Sequence, residues 1–592
     1  MQGLHHNRTR TVLSLLPLAA GLMGAAHAAP AASPAAKADA TLARALAAGP
    51  ARGWTPAIVK IAGPLTVAQQ TQIEALGVDV TRHLSLIHSL ELRVPSRNLA
   101  RLAALPFVTH LSYDGTVRKC DYFTIGHTGA NVASQQYGLT GQGVTVAIVD
   151  SGIQSGPDLI TTGSGVIGYA NFVTGNTVTT DQCGHGTHVA GIIAGNGTNS
   201  TGPNDTPIYG IARKAALVSA RVLNQNGQGT VGQVVAGIQW VVSNAAAYKI
   251  RVLNLSLGHP VTESYTTDPL CQAVEAAWKA GIVVVCAAGN NGRLNTVQGL
   301  TTDNEGWGTA YGSIESPGND PYVITVGAMK NLDGVKADDK IATYSSRGPS
   351  CLDMVLKPDL VAPGNQVVSV EASRTFLQNY YGITNSIPLS YFSSSQGSTS
   401  TCNKYLILSG TSMAAPVVAG AAALMLQQNP SLTPDTVKAR LMVSADKWAD
   451  PQGNADPFTY GAGYLDIPAA LNCTVTTSQP ALSPTLYLDS SGNFAVEMDP
   501  SVYGSRAIWG TRAIWGTGTL TDLRAIWGTG AVWTSSNDTN ASRAIWGNTG
   551  VAEERAIWGT RAIWGTTTIT PSTSATPDSL DLSASSVAIN GE

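Results

Sequence analysis

The 592-residue sequence predicts an α/β domain, a parallel sheet covered by helices on both faces, with a small α+β unit before it and a repeat-containing tail behind it. Three observations carry this. First, the runs VTVAIV (144–149), LVSARVL (217–223), IRVLNLSL (250–257) and IVVVCAA (282–288) are continuously apolar, as expected of strands buried on both faces. Second, helical stretches such as GQVVAGIQWVVSNAAA and CQAVEAAWKAG separate them, which is the connection parallel strands need. Third, composition changes on either side of about residues 119–472. A hydrophobic content of 43% supports a large core, and a net charge of -3 with 12% charged residues excludes a basic nucleic-acid or membrane-surface binder.

Residues 1–28 read as a signal peptide: Arg8 and Arg10, then the apolar TVLSLLPLAAGLMGAA, then Ala26-His27-Ala28 as a cleavage site. The apolar run is shorter than the ~20 residues a membrane span needs and contains Pro17, so the mature protein is expected to be secreted, extracellular or periplasmic, without a membrane span. Residues 29–53 are Ala/Pro-rich and expected as a disordered linker. Residues 54–118 read as β-α-β-β-α-β, a ferredoxin-like order. Its strands are expected at 57–61, 78–87, 89–95 and 108–114, with Thr66 and Gln69 boxing the first helix, Gly77 stopping it, and Ser96 capping the second.

Seven cysteines (120, 183, 271, 286, 351, 402 and 473) leave at least one unpaired; export permits disulfides, the spacings match no zinc pattern, and Cys286 lies in an apolar run as a buried thiol. The tail, 473–592, is rich in Thr, Ser, Gly and Asn and carries Arg-Ala-Ile-Trp-Gly six times, at intervals of 6, 12, 19, 12 and 6, which is no solenoid period. Its Trp residues are candidates for stacking on envelope carbohydrate or pairing with the Arg side chains. A disordered tail is the plain alternative.

The chemistry centres on Leu408-Ser409-Gly410-Thr411-Ser412-Met413-Ala414-Ala415-Pro416, where a tight turn becomes an apolar helix. A hydroxyl at such a helix mouth is a helix cap or a nucleophile served by free N–H groups. Asp150 ends a buried strand and is a turn residue or an orienting acid. His185 opens His185-Gly186-Thr187-His188-Val189-Ala190-Gly191 as a candidate base. His188 is expected to be packed rather than metal-binding, because the Glu of a zincin motif is absent. Asn290, after IVVVCAAG, is a turn residue or an amide donor to an oxyanion. Together Asp150, His185 and Ser412 form an acid–base–nucleophile set in the chain order Asp, His, Ser.

At these residues the chain resembles the subtilisin-like serine proteases (subtilases, peptidase family S8). Ala147–Ile153, His185–Gly191, Ala287–Asn290 and Gly410–Pro416 carry the resemblance, with Tyr344–Pro349 and Lys357–Gly364 in support. It implies a subtilisin-like fold and a serine endopeptidase with Asp150 orienting, His185 as base then acid, Ser412 as nucleophile and Asn290 as oxyanion donor. It further implies two edges that pair with extended polypeptide substrates, one with Gly227 and Gly229, the other with Ser256, Leu257 and Gly258. By the same resemblance Glu315, in Ser313–Gly318, is expected to approach the floor of the pocket beside the nucleophile and to favour a basic residue there. No cofactor is expected for catalysis; a structural calcium is expected at Asp158 with the loop 199–205. Residues 54–118 resemble the inhibitor-I9-like pro-region that folds and inhibits such enzymes before self-cleavage, here between about Asp114 and Thr128, which makes the protein a zymogen. Met413 is expected to make the site peroxide-sensitive. A catalytically silent binding protein and an esterase using the same three residues are the alternatives; the complete set argues against the first and the chain order against the second.

Overall fold

A computed structural model describes residues 34–38, 40–49, 53–84, 88–113, 122–161, 164–201, 206–331, 335–392, 401–448, 456–488 and 494–503, with the short stretches Val532–Trp533, Ala544–Ile545 and Ser579–Leu580. The signal segment, residues 114–121 with Cys120, residues 202–205 of the expected calcium loop, and nearly all of the Arg-Ala-Ile-Trp-Gly repeats lie outside the described residues. The chain divides into two compact units, Met1–Val117 and Arg118–Glu592.

In the first unit, α1 (Ala40–Ala48) precedes β1 (Trp54–Ile61), α2 (Val67–Glu74), β2 (Asp79–Leu84), β3 (Ser89–Pro95), α3 (Leu99–Ala103) and β4 (Val108–Tyr113). The sheet order is β2-β3-β1-β4, and β1 runs antiparallel to both of its neighbours. The boxed start of α2 is present: Thr66 Oγ1 accepts from Gln69 N–H and Gln69 Oε1 accepts from Thr66 N–H. One expectation is corrected. The segment read as a disordered linker contains α1, whose Leu42 is buried in the core of this unit beside Leu111 and Val59. Ala-rich sequence is helix-prone, and Leu42, with Leu46 and Ala38 packed against the same core, docks it.

The second unit begins with α4 (Tyr122–Thr128) and α5 (Ala130–Gln136). Its strands follow as β5 (Thr145–Asp150), β6 (Ile160–Thr161), β7 (Ser164–Asn171), β8 (Ala216–Arg221), β9 (Gly229–Thr230), β10 (Ile250–Leu255), β11 (Val283–Ala287), β12 (Ala310–Tyr311), β13 (Ile324–Lys330), β14 (Lys340–Ile341), β15 (Leu360–Pro363), β16 (Val367–Val370), β17 (Ser386–Pro388) and β18 (Thr401–Leu408). The main sheet has the order β14-β13-β11-β10-β5-β8-β7-β6, with β15 also on β13. Its interior pairings are parallel, and the antiparallel pairs β13–β14 and β6–β7 lie at its margins. Its next helices are α6 (His185–Ala194), α7 (Val231–Ser243), α8 (Ala245–Tyr248), α9 (Pro269–Lys279), α10 (Phe376–Asn385) and α11 (Thr411–Gln428), of which α6 and α11 carry candidate site residues. Every residue of α11 from Thr411 to Leu426 is buried, so it is a core helix with only its first turn open to chemistry. Among the described residues no helix is long and apolar enough to cross a membrane.

The domain does not end at Cys473. Residues 474–488 and 494–503 wrap back onto it, and Ala481, Val502 and Tyr503 join Ala439, Met442 and Ala462 in one buried cluster. The clasp is polar as well. The buried Lys438 ammonium donates to the carbonyls of Pro321 (2.7 Å) and Val323 (3.0 Å) and to Ser483 Oγ (2.8 Å), and Ser483 Oγ donates to Asp359 Oδ1 (2.5 Å). Lys357 pairs with the other Asp359 oxygen at 2.8 Å. A Thr/Ser-rich composition concealed this, because the few apolar side chains that bury there follow no period. The six described cysteines, 183, 271, 286, 351, 402 and 473, are unpaired, and Cys286 is fully buried as expected.

Candidate active site

The candidate side chains gather at the carboxyl ends of three adjacent strands, β5, β10 and β11, where an open parallel sheet leaves room for ligands. Asp150 is the last residue of β5 and is fully buried. His185 is the first residue of α6, and its Nδ1 lies 2.9 and 3.0 Å from the two Asp150 oxygens. An imidazole held this way carries its proton on Nδ1 and presents Nε2 as the acceptor. Burial resists charge on His185, but the Asp150 carboxylate and its hydrogen bond, helped by Asp181, outweigh it and raise the imidazole above its ordinary value.

Asp181 was not singled out by the sequence reading, yet it organises this corner. Its carboxylate accepts from Ser151 Oγ (2.9 Å), Cys183 N–H (2.9 Å), Gly184 N–H (2.7 Å), Thr187 N–H (2.9 Å) and Thr187 Oγ1 (2.7 Å). It thus satisfies the otherwise orphaned donors at the start of α6 and ties them to the residue after Asp150. Gly186 is required by space: a Cβ there would stand 2.2 Å from the Gly152 carbonyl oxygen. The signal for Asp181 was an acidic residue just ahead of a helix start.

Ser412 stands in the first turn of α11. Pro416, four residues on, has no N–H, so the Ser412 carbonyl lacks its helical donor; it accepts instead from Ser256 Oγ at 2.8 Å. In return Ser412 Oγ donates to the Ser256 carbonyl at 3.2 Å, so the resting hydroxyl is bonded there rather than to His185. Asn290, just past β11, accepts from Thr411 N–H at 2.9 Å through Oδ1. This fixes the amide so that its NH₂ is the end available to a developing oxyanion. Thr411 Oγ1 also bonds the Gly289 backbone, accepting from its N–H and donating to its carbonyl at 3.1 Å each.

The two expected substrate edges flank β5. Gly227 lies in the turn beyond β8, where Asn224 Oδ1 accepts from Asn226 N–H (2.8 Å) and Gln228 N–H (3.1 Å), and Gly229 opens β9. Ser256, Leu257 and Gly258 follow β10. His188 is fully buried, donates from Nε2 to the Leu406 carbonyl at 2.9 Å, and is pulled by burial down to about 3, as befits a packed neutral imidazole. Met413 is buried in the core beside the nucleophile.

Asp158 stands apart from these residues. Its carboxylate accepts from Asn199 N–H (2.9 Å) and Asn199 Nδ2 (3.0 Å), so hydrogens rather than lone pairs face it. Calcium takes about six to eight oxygen ligands. Among the described residues no cluster of three or more acidic, His or Cys side chains assembles, and residues 202–205 of the expected calcium loop lie outside the described residues.

Comparison with known proteins agrees with this architecture. The subtilase family profile (Peptidase_S8) matches residues 141–463. The serine protease AprX of Bacillus subtilis (strain 168) is 40% identical over 334 residues, 55% of this chain and 66% of AprX, so this chain spans just under two thirds of that relative. Subtilisin DY of Bacillus licheniformis is 34% identical over 336 residues, 57% of this chain and 93% of that protein. Subtilisin Savinase of Lederbergia lenta is 34% identical over 338 residues, 57% of this chain and 94% of its own. With more than half of its length matched by the profile, the chain belongs to the subtilase family of subtilisin-like serine proteases.

Proposed function

We propose that this chain is a secreted endopeptidase, made as a zymogen, that cleaves extended polypeptides through an acyl-enzyme on Ser412. The observation that carries the reading is the buried bidentate approach of Asp150 to His185 Nδ1 on the same rim of the sheet as the α11 helix mouth. In this reading Ser412 Oγ leaves the Ser256 carbonyl to bond His185 Nε2; such bonds commonly tighten only when substrate arrives. His185 then takes the hydroxyl proton as Oγ bonds the substrate carbonyl carbon. The carbonyl oxygen becomes an oxyanion stabilised by Asn290 Nδ2 and the N–H groups at the start of α11. Collapse breaks the C–N bond, and His185 returns the proton to the leaving amine. Water, deprotonated by His185, hydrolyses the ester by the same steps in reverse.

Residues 54–118 are the pro-region in this reading, a folding aid for a slow parallel sheet and an inhibitor until cut away. The test is one pair of secreted proteins, wild type and Ser412→Ala. Wild type digests casein, a serine-directed inhibitor stops it, and mass spectrometry finds residues 54–118 removed. Ser412→Ala lowers kcat by about 10⁶-fold and retains the pro-region. Casein hydrolysis that survives Ser412→Ala sinks the assignment.

A further inference from the structure

Two backbone segments run past Ser412: Ser256–Gly258 beyond β10, bonded to Ser412 itself, and Gly289–Asn290 beyond β11, bonded to Thr411. β10 and β11 are neighbours, so these segments form two walls of one slot. A third segment, 313–318, crosses between them as a floor. His259 and Ser316 exchange backbone hydrogen bonds of 3.0 and 2.9 Å on one side, and Glu315 N–H donates to the Ala288 carbonyl at 3.1 Å on the other. The Glu315 side chain is thereby held between the walls. A Cβ on Gly258 would stand 2.6 Å from Glu315 Oε2, and one on Gly289 would stand 2.8 Å from Glu315 Cγ. Glycine in both walls leaves the space that Glu315 occupies. Asn291 Nδ2 donates to Oε1 at 2.6 Å and orients the carboxylate, which is half-buried.

A substrate carbonyl seated at Ser412 Oγ with its oxygen towards Asn290 sends the side chain of that same residue between these two walls. We propose that Glu315 makes the enzyme select Arg or Lys at this position, on the acyl side of the scissile bond; this rests on the endopeptidase reading above. A guanidinium or ammonium in the slot meets a positioned carboxylate in charge-assisted hydrogen bonds. An apolar side chain desolvates that carboxylate without compensation, and an acidic one meets like charge.

The sequence supplies a second, independent support. Thr124, His127 and Thr128 of α4 are buried, so a self-cut at or beyond Tyr122 would break a packed helix. The cut then falls in Asp114-Gly115-Thr116-Val117-Arg118-Lys119-Cys120-Asp121, where Arg118 and Lys119 are the only basic residues. A basic-selective enzyme cutting itself leaves Lys119 or Cys120 as the new N-terminus.

The test compares kcat/KM for peptides that differ only at the acyl-side residue (Arg, Lys, Gln, Leu, Glu), using wild type, Glu315→Gln and Glu315→Arg, each standardised by active-site titration with a serine-directed inhibitor. Wild type should favour Arg and Lys, Glu315→Gln should lower the Arg-to-Leu ratio by at least about 30-fold, and Glu315→Arg should raise the ratio for Glu. The wild-type protein should begin at Lys119 or Cys120. A wild-type profile that favours Leu, or an Arg-to-Leu ratio unmoved in Glu315→Gln, overturns the inference while leaving the endopeptidase intact. Hydrolysis of none of the peptides and no casein digestion removes both.

Discussion

Asn290 shows how one side chain acquires a role. Its Oδ1 is committed to Thr411 N–H, and that commitment leaves the NH₂ as the end that meets the acyl oxygen in the proposed mechanism. Substitution Asn290→Ala should lower kcat by about 10²–10³-fold with little change in KM, because the bond matters chiefly in the transition state. Steady-state kinetics on any good peptide decides it; a rise in KM with unchanged kcat would place Asn290 in ground-state binding instead. Ser256 is a comparable case. It was expected only as a substrate edge, yet its hydroxyl also supplies the donor that Pro416 removes from α11. That pairing joins residues far apart in the chain, so it could not be read from either motif.

At the scale of the element, α6 is a device for holding an imidazole. Asp181 gathers five donors at its start, and although burial pushes its own carboxyl above the usual range, its charge adds to the field that raises His185. The base must be neutral to accept the Ser412 proton. Activity should therefore rise with pH along a limb lying above the ordinary imidazole value of 6.5. Removing the charge in Asp181→Asn takes away one of the raising influences and should move that limb to lower pH. The kcat/KM profile of the free enzyme reads it directly. A purely structural Asp181 would cut activity without moving the limb.

At the scale of the whole molecule, the catalytic domain is closed by a strap beyond its last strand. Ser483 bridges Lys438 and Asp359, and Tyr503 is buried with its hydroxyl donating to the Leu482 carbonyl at 3.0 Å. A chain ending at Cys473 leaves the Lys438 ammonium short of a partner and bares Ala439 and Met442, whereas a chain ending at Gly504 keeps both. The shorter chain should melt roughly 5–10 °C below the longer one by calorimetry, the scale expected for losing a buried polar contact and an apolar cover. Equal melting temperatures would show the strap to be passive.

The sequence alone determined the parts that are written locally. Continuous Val/Ile/Leu runs specify buried parallel strands because both faces must be apolar, and a Gly-Thr-Ser turn before an Ala-rich run specifies a helix mouth. Asp150, His185, Asn290 and Ser412 were legible because each sits where a strand ends or a helix begins, and chain order then joined them. Only the tertiary structure decided the rest: that Asp181 anchors α6, that Leu42 docks a segment of unremarkable composition, that Asp158 accepts from Asn199, that the domain runs on to Tyr503, and that Glu315 lies between Gly258 and Gly289. Each of these is a contact between residues distant in sequence. Such contacts follow no period; they exist because close packing brings separate strand ends and loops to within hydrogen-bonding distance.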